Sequence, residues 1–176
     1  MKKIENLIQE IRIELESKYP FLVHWDVSFD NANRRAGVCK LSNKQISISK
    51  KHILNNSIEV VKDTLLHEFS HAIAFELYRH KGHGKIWKNI ACELGATPRA
   101  TGIFNLPQAP WLLVHACPKE ELILPIAQRY RRNSKIKNYF LNGRPETKGQ
   151  LFFIELSEFQ AYQSGLKSQS QLSLIQ

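Results

Sequence analysis

The segment from Thr64 to Ala72 reads TLLHEFSHA and contains the pattern H-E-x-x-H within an apolar run. His67 and His71 are four residues apart, so on an α-helix they share one face, where two imidazoles can bind one zinc ion. Glu68 is offset from His67 by about 100° around such a helix, so its carboxylate can act as a base toward a water molecule that zinc has made acidic. The pattern therefore predicts a helix that carries two metal ligands and a general base for hydrolysis.

The residues around this motif are apolar at helical spacing. They are Leu65, Leu66, Phe69, Ala72, Ile73 and Phe75. A mostly buried helix has little reason to carry polar side chains, because a buried polar group without a partner costs free energy. The alternative is that the histidines and the glutamate are solvated or hydrogen-bonded at the edge of the helix. The context favours the metal site.

A catalytic zinc site needs a third protein ligand and an open fourth position. The metzincin spacing requires a histidine six residues after His71, where this chain has Leu77, so that class is excluded. Downstream candidates are His80, His83 and Glu93. Glycines on both sides of His83 allow a sharp turn back toward the first helix, which favours His83. Glu93 lies on a second predicted helix, and His80 has the position of a cation at a helix C-terminus.

Three short motifs together carry a family resemblance. HExxHA at 67–72 is followed by HGxxWK at 83–88 and by LG at 94–95. This set resembles the SprT-like family, which includes the bacterial SprT proteins and the eukaryotic DNA–protein crosslink protease Spartan. Upstream, WDVSF at 25–29, RAGVC at 35–39 and QISIS at 45–49 are similar to the three strands that precede the active-site helix of the family. The resemblance extends over residues 5–155.

The resemblance implies a zincin-like metallopeptidase with His67, His71 and His83 as zinc ligands and Glu68 as the catalytic base. It also implies a function on DNA-associated proteins, including repair of DNA–protein crosslinks. One departure concerns the zinc ribbon of four cysteines that SprT proteins often carry, because Cys117 is the last cysteine of this chain. We therefore expect one zinc ion per chain and a C-terminal region held by packing. Candidate packing residues are Trp111, Leu113, Leu122, Ile123, Tyr139, Phe140, Leu151, Phe152 and Ile154.

The order of predicted elements indicates an α+β fold. An amphipathic helix is predicted over 3–18, a small antiparallel sheet over 24–49, the metal helix over 58–79 and a second helix over 85–94. We expect residues 1–105 to form the SprT-like core and residues 106–156 a β-rich basic extension, similar to a zinc ribbon without its metal. Residues 157–176 are rich in Ser and Gln and predict a flexible tail.

The formal net charge of +9 points to an anionic partner. Residues 128–148 contain seven Lys or Arg against one Glu, with three aromatic residues interleaved. We predict DNA contacts, preferentially with single strands, by Arg129, Arg131, Arg132, Lys135 and Lys137, because cations neutralise phosphates and exposed aromatics stack on bases. The alternative is a solvated basic hairpin whose aromatic side chains point inward.

Cysteine usage bears on the cellular compartment. Three widely spaced cysteines without a C-x-x-C motif fit a reducing compartment, so we expect a cytoplasmic location, associated with the nucleoid if the source is bacterial. Acidic residues interrupt the N-terminal apolar stretch, and no run approaches 18 apolar residues, so no signal peptide or membrane span is expected. The oligomeric state is left open.

Three functions remain as hypotheses. The first is a zinc protease acting on DNA-associated proteins, with specificity from proximity rather than from a deep side-chain pocket. The second is a nucleic-acid-binding or regulatory protein with a non-catalytic zinc site. The third is a general peptidase without a nucleic-acid role. Glu68 favours an enzyme, since a purely structural site needs no carboxylate base at that position.

Overall fold

The computed structural model describes residues 1–117 and 122–176. The chain divides into two compact units, Met1–Pro107 and Gln108–Gln176. The sequence predicts this boundary after residue 105. Each unit combines helices with one three-stranded sheet and has hydrophobic core residues of its own, which confirms the α+β class.

The N-terminal unit contains four α-helices and three strands. They are α1 (Lys2–Lys18), β1 (Asp26–Asp30), β2 (Gly37–Lys40), β3 (Gln45–Ser49), α2 (Lys50–Asn55), α3 (Ile58–Tyr78) and α4 (Lys85–Glu93). Helices α1, α3 and α4 each differ from the predicted helix by one residue at one end. The short helix α2 was not predicted. It begins where the Ser49 side chain accepts hydrogen bonds from the Lys51 and His52 N–H groups.

The sheet of this unit is mixed, so the prediction of an antiparallel sheet is wrong for one strand. Its order is β1-β3-β2, with β1 parallel and β2 antiparallel to β3. Strands β1 and β2 do not pair with each other, and the Asp30 carboxylate holds the connection between them. That carboxylate accepts hydrogen bonds from the Ala32 N–H at 2.8 Å, the Ser47 hydroxyl at 2.5 Å and the Arg35 guanidinium at 2.7 Å. In the order β1-β3-β2, strand β2 lies at an edge of the sheet.

Helix α3 is the central element of the N-terminal core. Its buried apolar residues are Val61, Leu65, Leu66, Phe69, Ala72, Ile73 and Ala74. They pack in one core cluster with Trp25, Ile46 and Ile48 from the sheet region. The Trp25 indole N–H also donates to the Glu76 carboxylate at 3.1 Å. These contacts fix the rotation of α3 about its axis and hence the directions of its polar side chains.

The C-terminal unit is built on a second sheet. It comprises β4 (Trp111–Cys117), β5 (Leu122–Arg129), β6 (Leu151–Glu155) and α5 (Leu156–Gln163). The sheet order is β5-β4-β6, and both pairings are antiparallel. Between β5 and β6 the chain forms two single 3-10 turns, Ile136–Asn138 and Pro145–Thr147. The buried Thr147 hydroxyl donates to the Arg144 carbonyl at 2.7 Å and accepts from the Leu141 N–H at 2.9 Å, which holds this connection together.

The predicted packing residues of this unit divide into three groups. Leu113, Ile123, Leu151 and Ile154 are buried, and Trp111 and Phe152 are half-buried. Leu122, Tyr139 and Phe140 are exposed, so their assignment to the core is wrong. Leu122 lies on the edge strand β5, and the other two lie in the connection to β6, where the sheet does not cover them.

Residues 157–176 differ from the predicted flexible tail. Phe159 of α5 is buried, and Leu172 and Leu174 pack against the same core cluster. Ile175 and Phe153 exchange two backbone hydrogen bonds of 2.7 and 2.9 Å. A few widely spaced apolar residues thus anchor a segment whose Ser and Gln content predicted disorder.

Within residues 1–117 and 122–176, no helix is both long and apolar enough to cross a membrane.

Candidate functional site

Three histidines of the N-terminal unit converge on one point. The Nε2 atom of His83 lies 3.1 Å from Nε2 of His71 and 3.1 Å from Nε2 of His67. Among the residues that the structure describes, this is the one group of three or more His, Cys, Asp or Glu side chains close enough together to hold a metal ion. The cluster can therefore bind a metal.

A tight reversal after α3 brings His83 to the other two histidines. Helix α3 ends at Tyr78; its C-cap residue Arg79 adopts the left-handed conformation with φ of 51°, and Gly82 has φ of +81°. Gly84 is the N-cap residue of α4, and a β-carbon there would lie 2.7 Å from Cε1 of the His80 ring. Glycine at 82 and 84 thus meets two separate steric requirements of the turn.

Trp87 forms a wall behind the three imidazoles. Its ring centroid lies 4.6 Å from those of His67 and His83 and 5.2 Å from that of His71. The side chain is fully buried, and its indole N–H donates to the His67 carbonyl at 3.4 Å. The sequence indicates this position of Trp87, because a spacing of four residues from His83 places it at the start of α4.

The other candidates for a third ligand lie elsewhere. The His80 ring packs beside Gly84 and does not belong to the metal-binding group. The Glu93 carboxylate pairs with the Lys18 ammonium group and accepts a hydrogen bond from the Tyr19 hydroxyl at 3.2 Å. Of the three alternatives, the structure brings only His83 to the histidines of α3.

Glu68 is buried beside this cluster and against strand β2. Burial raises the pKa of Glu68 to about 7, while a backbone hydrogen bond from Cys39 and the positive charge of Arg35 act in the opposite direction. A β-carbon at Gly37 would lie 2.9 Å from Cγ and 3.0 Å from Oε1 of Glu68. Gly37 therefore leaves the space that the glutamate side chain occupies.

The histidines and Glu68 open onto a common cleft of ≈ 360 Å³, bordered by β2. The Ser49 N–H donates to the Ala36 carbonyl at 2.8 Å. By the alternation of an antiparallel ladder, the backbone groups of Gly37 and Cys39 then face away from β3. The edge of β2 along the cleft can therefore offer backbone hydrogen bonds to an extended peptide.

The pKa of each of the three histidines is lowered, which favours the neutral imidazole. Burial, with smaller contributions from the neighbouring imidazoles, lowers the pKa of His67 to about 4 and that of His71 to about 3. Burial also lowers the pKa of His83. Neutral imidazole is the form that binds metals.

The donor set fits one zinc ion. Zinc is bound tetrahedrally by imidazole nitrogens at about 2.0–2.1 Å, which places the ligand atoms about 3.3 Å apart. The separations of 3.1 Å between the Nε2 atoms are close to this value. Three nitrogen donors leave the fourth position of the tetrahedron to the open cleft.

The comparison with known protein families covers the region that contains this site. The model of the SprT-like family matches residues 4–108. The chain belongs to the SprT-like family. The match covers nearly the whole N-terminal unit, including the histidine cluster, and ends at the first residue of the C-terminal unit.

A curated relative supports the same assignment. "Protein SprT" of Actinobacillus succinogenes is 32% identical to this chain over 82 residues. The matched segment is 46% of this chain and 43% of that protein. The chain thus spans less than half the length of this SprT-like relative.

The five predicted DNA-contacting cations are all exposed in the C-terminal unit. Arg129 is the last residue of β5, and Arg131, Arg132, Lys135 and Lys137 follow it. The Arg132 guanidinium lies 4.6 Å from the centroid of the Trp111 ring. Tyr139 and Phe140 are 53% and 51% exposed, so two of the three interleaved aromatic residues point outward rather than inward.

Substitution of the proposed third ligand distinguishes the three candidates. We expect the wild-type chain to bind one zinc ion and His83→Ala to lower zinc affinity by more than about 100-fold, since loss of a hydrogen-bond partner of a ligand alone costs about 10- to 100-fold. His80→Ala and Glu93→Ala are the matched controls and should bind zinc like the wild type. Competition titration with a chromophoric chelator, with elemental analysis, measures both quantities. Two zinc equivalents per chain, or a loss of affinity in a control, would contradict the assignment.

The contact between Gly37 and Glu68 is testable by a double-mutant cycle. Gly37→Ala should lower the free energy of unfolding by about 1–3 kcal/mol, because the added methyl group overpacks the site. In a Glu68→Ala background the same substitution should cost less, because the nearest atoms have been removed. Urea denaturation of the four proteins measures the coupling. An equal cost in both backgrounds would show that the steric conflict lies with Ile48, the other close neighbour, and not with Glu68.

Proposed function

We propose that this chain is a zinc-dependent metallopeptidase with a zincin-like N-terminal unit, and that it acts on proteins associated with DNA. The observation that carries the proposal is the buried Glu68 carboxylate, which opens onto the same cleft as three converging imidazoles. A site that only stabilises the fold needs no carboxylate there. A peptidase needs one as its proton acceptor and donor.

His67, His71 and His83 would hold the zinc. Zinc bound there supplies an acidified water and polarises the peptide carbonyl. Glu68 accepts a proton from the attacking water and passes it to the departing amine. Gly37 allows the close approach of the Glu68 carboxylate to β2, where a backbone hydrogen bond from Cys39 favours the charged form.

The edge of strand β2 would position the substrate. An extended polypeptide that pairs with the backbone groups of Gly37 and with the carbonyl of Cys39 would run along the cleft past the three histidines. Pairing through the backbone requires an unfolded or extended segment but no particular sequence. The proposed substrate is therefore a locally unfolded protein chain.

The C-terminal unit would bind the nucleic acid. We define its basic–aromatic surface as Arg129, Arg131, Arg132, Lys135, Lys137, Tyr139 and Phe140. Exposed cations contact phosphates regardless of base sequence, and the two exposed aromatic rings can stack on unpaired bases. Single-stranded DNA is the expected ligand, because its bases are free to stack. Such binding would keep the peptidase, with its proposed cytoplasmic location, at the nucleoid if the source is bacterial.

Replacement of the proposed base tests the peptidase function. We expect the zinc-loaded wild type to cleave itself and histone when single-stranded DNA is present. Glu68→Gln should retain zinc but lose cleavage by about 100- to 10,000-fold, the contribution of a general base. The matched control is Glu14→Gln, which replaces an exposed glutamate of α1. Gel-based cleavage assays and zinc analysis on the same samples provide the readout.

The other hypotheses predict different results in this experiment. Zinc binding and tight DNA binding without cleavage, over single-stranded, duplex and forked DNA, would favour a nucleic-acid-binding protein with a non-catalytic site. Cleavage that is independent of DNA would favour a general peptidase. Stimulation by DNA that fades as salt rises would support the proposed function.

The basic–aromatic surface is testable by its two kinds of contact. Combined substitution of Arg131, Lys135 and Lys137 by Ala should reduce the slope of log affinity against log salt by about 0.7 per lost phosphate contact with single-stranded DNA. Combined substitution of Tyr139 and Phe140 by Ala should weaken binding by about 1–3 kcal/mol per stacked base, with the salt slope unchanged. Fluorescence polarisation with a labelled oligonucleotide at several salt concentrations measures both effects.

A control with the same loss of charge separates local contacts from net charge. Lys2, Lys3 and Lys50 are exposed cations of the N-terminal unit, and their combined substitution by Ala also removes three positive charges. An equal loss of DNA affinity in this control would contradict a localised surface.

A further inference from the structure

A second cavity of ≈ 500 Å³ adjoins the candidate site in the N-terminal unit. His67 lines both this cavity and the cleft that holds Glu68. One wall is the first half of α3, with Val60, Asp63 and Leu66. The opposite wall is the segment that follows α4, with Arg99 and Ile103. The cavity therefore lies next to the site at which the peptide bond would be cleaved.

The distance between the cavity and the histidines suits a neighbouring substrate residue. Asp63 precedes His67 by four residues on α3, which corresponds to about 6 Å along the helix axis. An extended polypeptide advances by about 3.3 Å per residue. A chain that passes His67 thus reaches this cavity within one or two residues of the scissile bond.

The outer wall of the cavity is anchored at both ends. At one end the Thr97 N–H donates to the Asp63 carboxylate at 2.6 Å. At the other end the Asn105 N–H donates to the Asn56 side-chain oxygen at 2.7 Å, and the Asn56 amide donates to the Asn105 carbonyl at 3.0 Å. These hydrogen bonds hold residues 98–103 opposite α3, although the segment has no helix or strand of its own.

Apolar side chains from both walls line this cavity, together with the charged side chains of Glu59, Lys62, Asp63 and Arg99. Val60 and Leu66 supply apolar surface from α3. Across from them Ile103 is 87% exposed, a large apolar side chain that borders the cavity without being covered. A single exposed isoleucine is ordinary in itself, but this one stands across an open cavity from Val60 and Leu66. The Asp63 carboxylate is engaged by Thr97, and the remaining charged side chains include Lys62 and Arg99.

We propose that this cavity binds one large apolar side chain of the polypeptide substrate, next to the scissile bond, and that Ile103 is a specificity-determining residue. The inference rests on the proposed peptidase function and adds a preference that backbone pairing along β2 does not provide. The occupant is the substrate chain itself, because the cavity and the cleft meet at His67. Specificity would then combine proximity on DNA with recognition of one side chain, in contrast to the expectation of proximity alone.

Peptide binding tests the cavity without relying on turnover. Labelled peptides that differ at one position, with Leu, Ala or Asp, are titrated with zinc-loaded Glu68→Gln protein and followed by fluorescence polarisation. At one position the Leu peptide should bind about 10-fold or more tightly than the Ala and Asp peptides, as expected for an apolar pocket. Adding Ile103→Asp should remove this preference and leave the affinity for the Ala peptide unchanged. The control is Leu54→Asp, at a residue of α2 that is 78% exposed. It should alter neither the preference for the Leu peptide nor the affinity for the Ala peptide.

Cleavage-site mapping gives the second readout. Wild-type protein acting on a mixture of peptides should produce termini enriched in Leu, Met or Phe at one fixed distance from the cut, and Ile103→Asp should abolish the enrichment. Cleavage without an enriched position, with peptide affinities unaffected by Ile103→Asp, would overturn the pocket and leave the peptidase function standing. Absence of both cleavage and peptide binding in the wild type would overturn both. A third outcome is that Ile103→Asp binds single-stranded DNA more weakly but binds the Leu peptide as before. This result would assign the cavity to a nucleobase and would also overturn the proposal.

Discussion

The burial of α3 is the constraint on which the candidate site depends. Because apolar residues along this helix pack against the sheet and against α1 and α4, the helix cannot rotate about its axis. Its polar residues then have fixed directions, with His67 and His71 toward the turn before α4 and Glu68 toward β2. The order of apolar and polar residues in one helix thus determines where metal ligands and base lie.

Two close approaches complete the site, and each depends on a glycine. Gly37 lets the Glu68 side chain lie against the edge strand, and Gly84 lets the His80 ring pack against the start of α4. A larger residue at either position would require a neighbouring side chain to move. Residues outside the site also help to position its side chains, since Asp30 holds the connection that brings β2 beside α3. A metal site with few ligands depends on surrounding residues that hold those ligands in one orientation.

The histidine cluster and the cation-rich connection lie in different units of the chain. The SprT-like match ends where the N-terminal unit ends, and the histidine cluster lies wholly within it. The C-terminal unit is a three-stranded antiparallel sheet with core residues on both faces and a cation-rich connection between β5 and β6. A division of labour follows under the proposed function, in which chemistry belongs to the first unit and retention on nucleic acid to the second.

The sequence by itself determined helices α1, α3 and α4, the α+β class, the family and the residues available for chemistry. These follow from local patterns: helical spacing of apolar residues in α1, α3 and α4, and the short motifs around His67 and His83. It favoured His83 over Glu93 as the third ligand, but only the reversal after α3 decides which side chain lies beside His67 and His71. It also missed the parallel pairing of β1 with β3, the anchoring of residues 157–176, and the cavity beside His67. Each of these arises from contacts between residues far apart in the chain, which only the tertiary structure brings together.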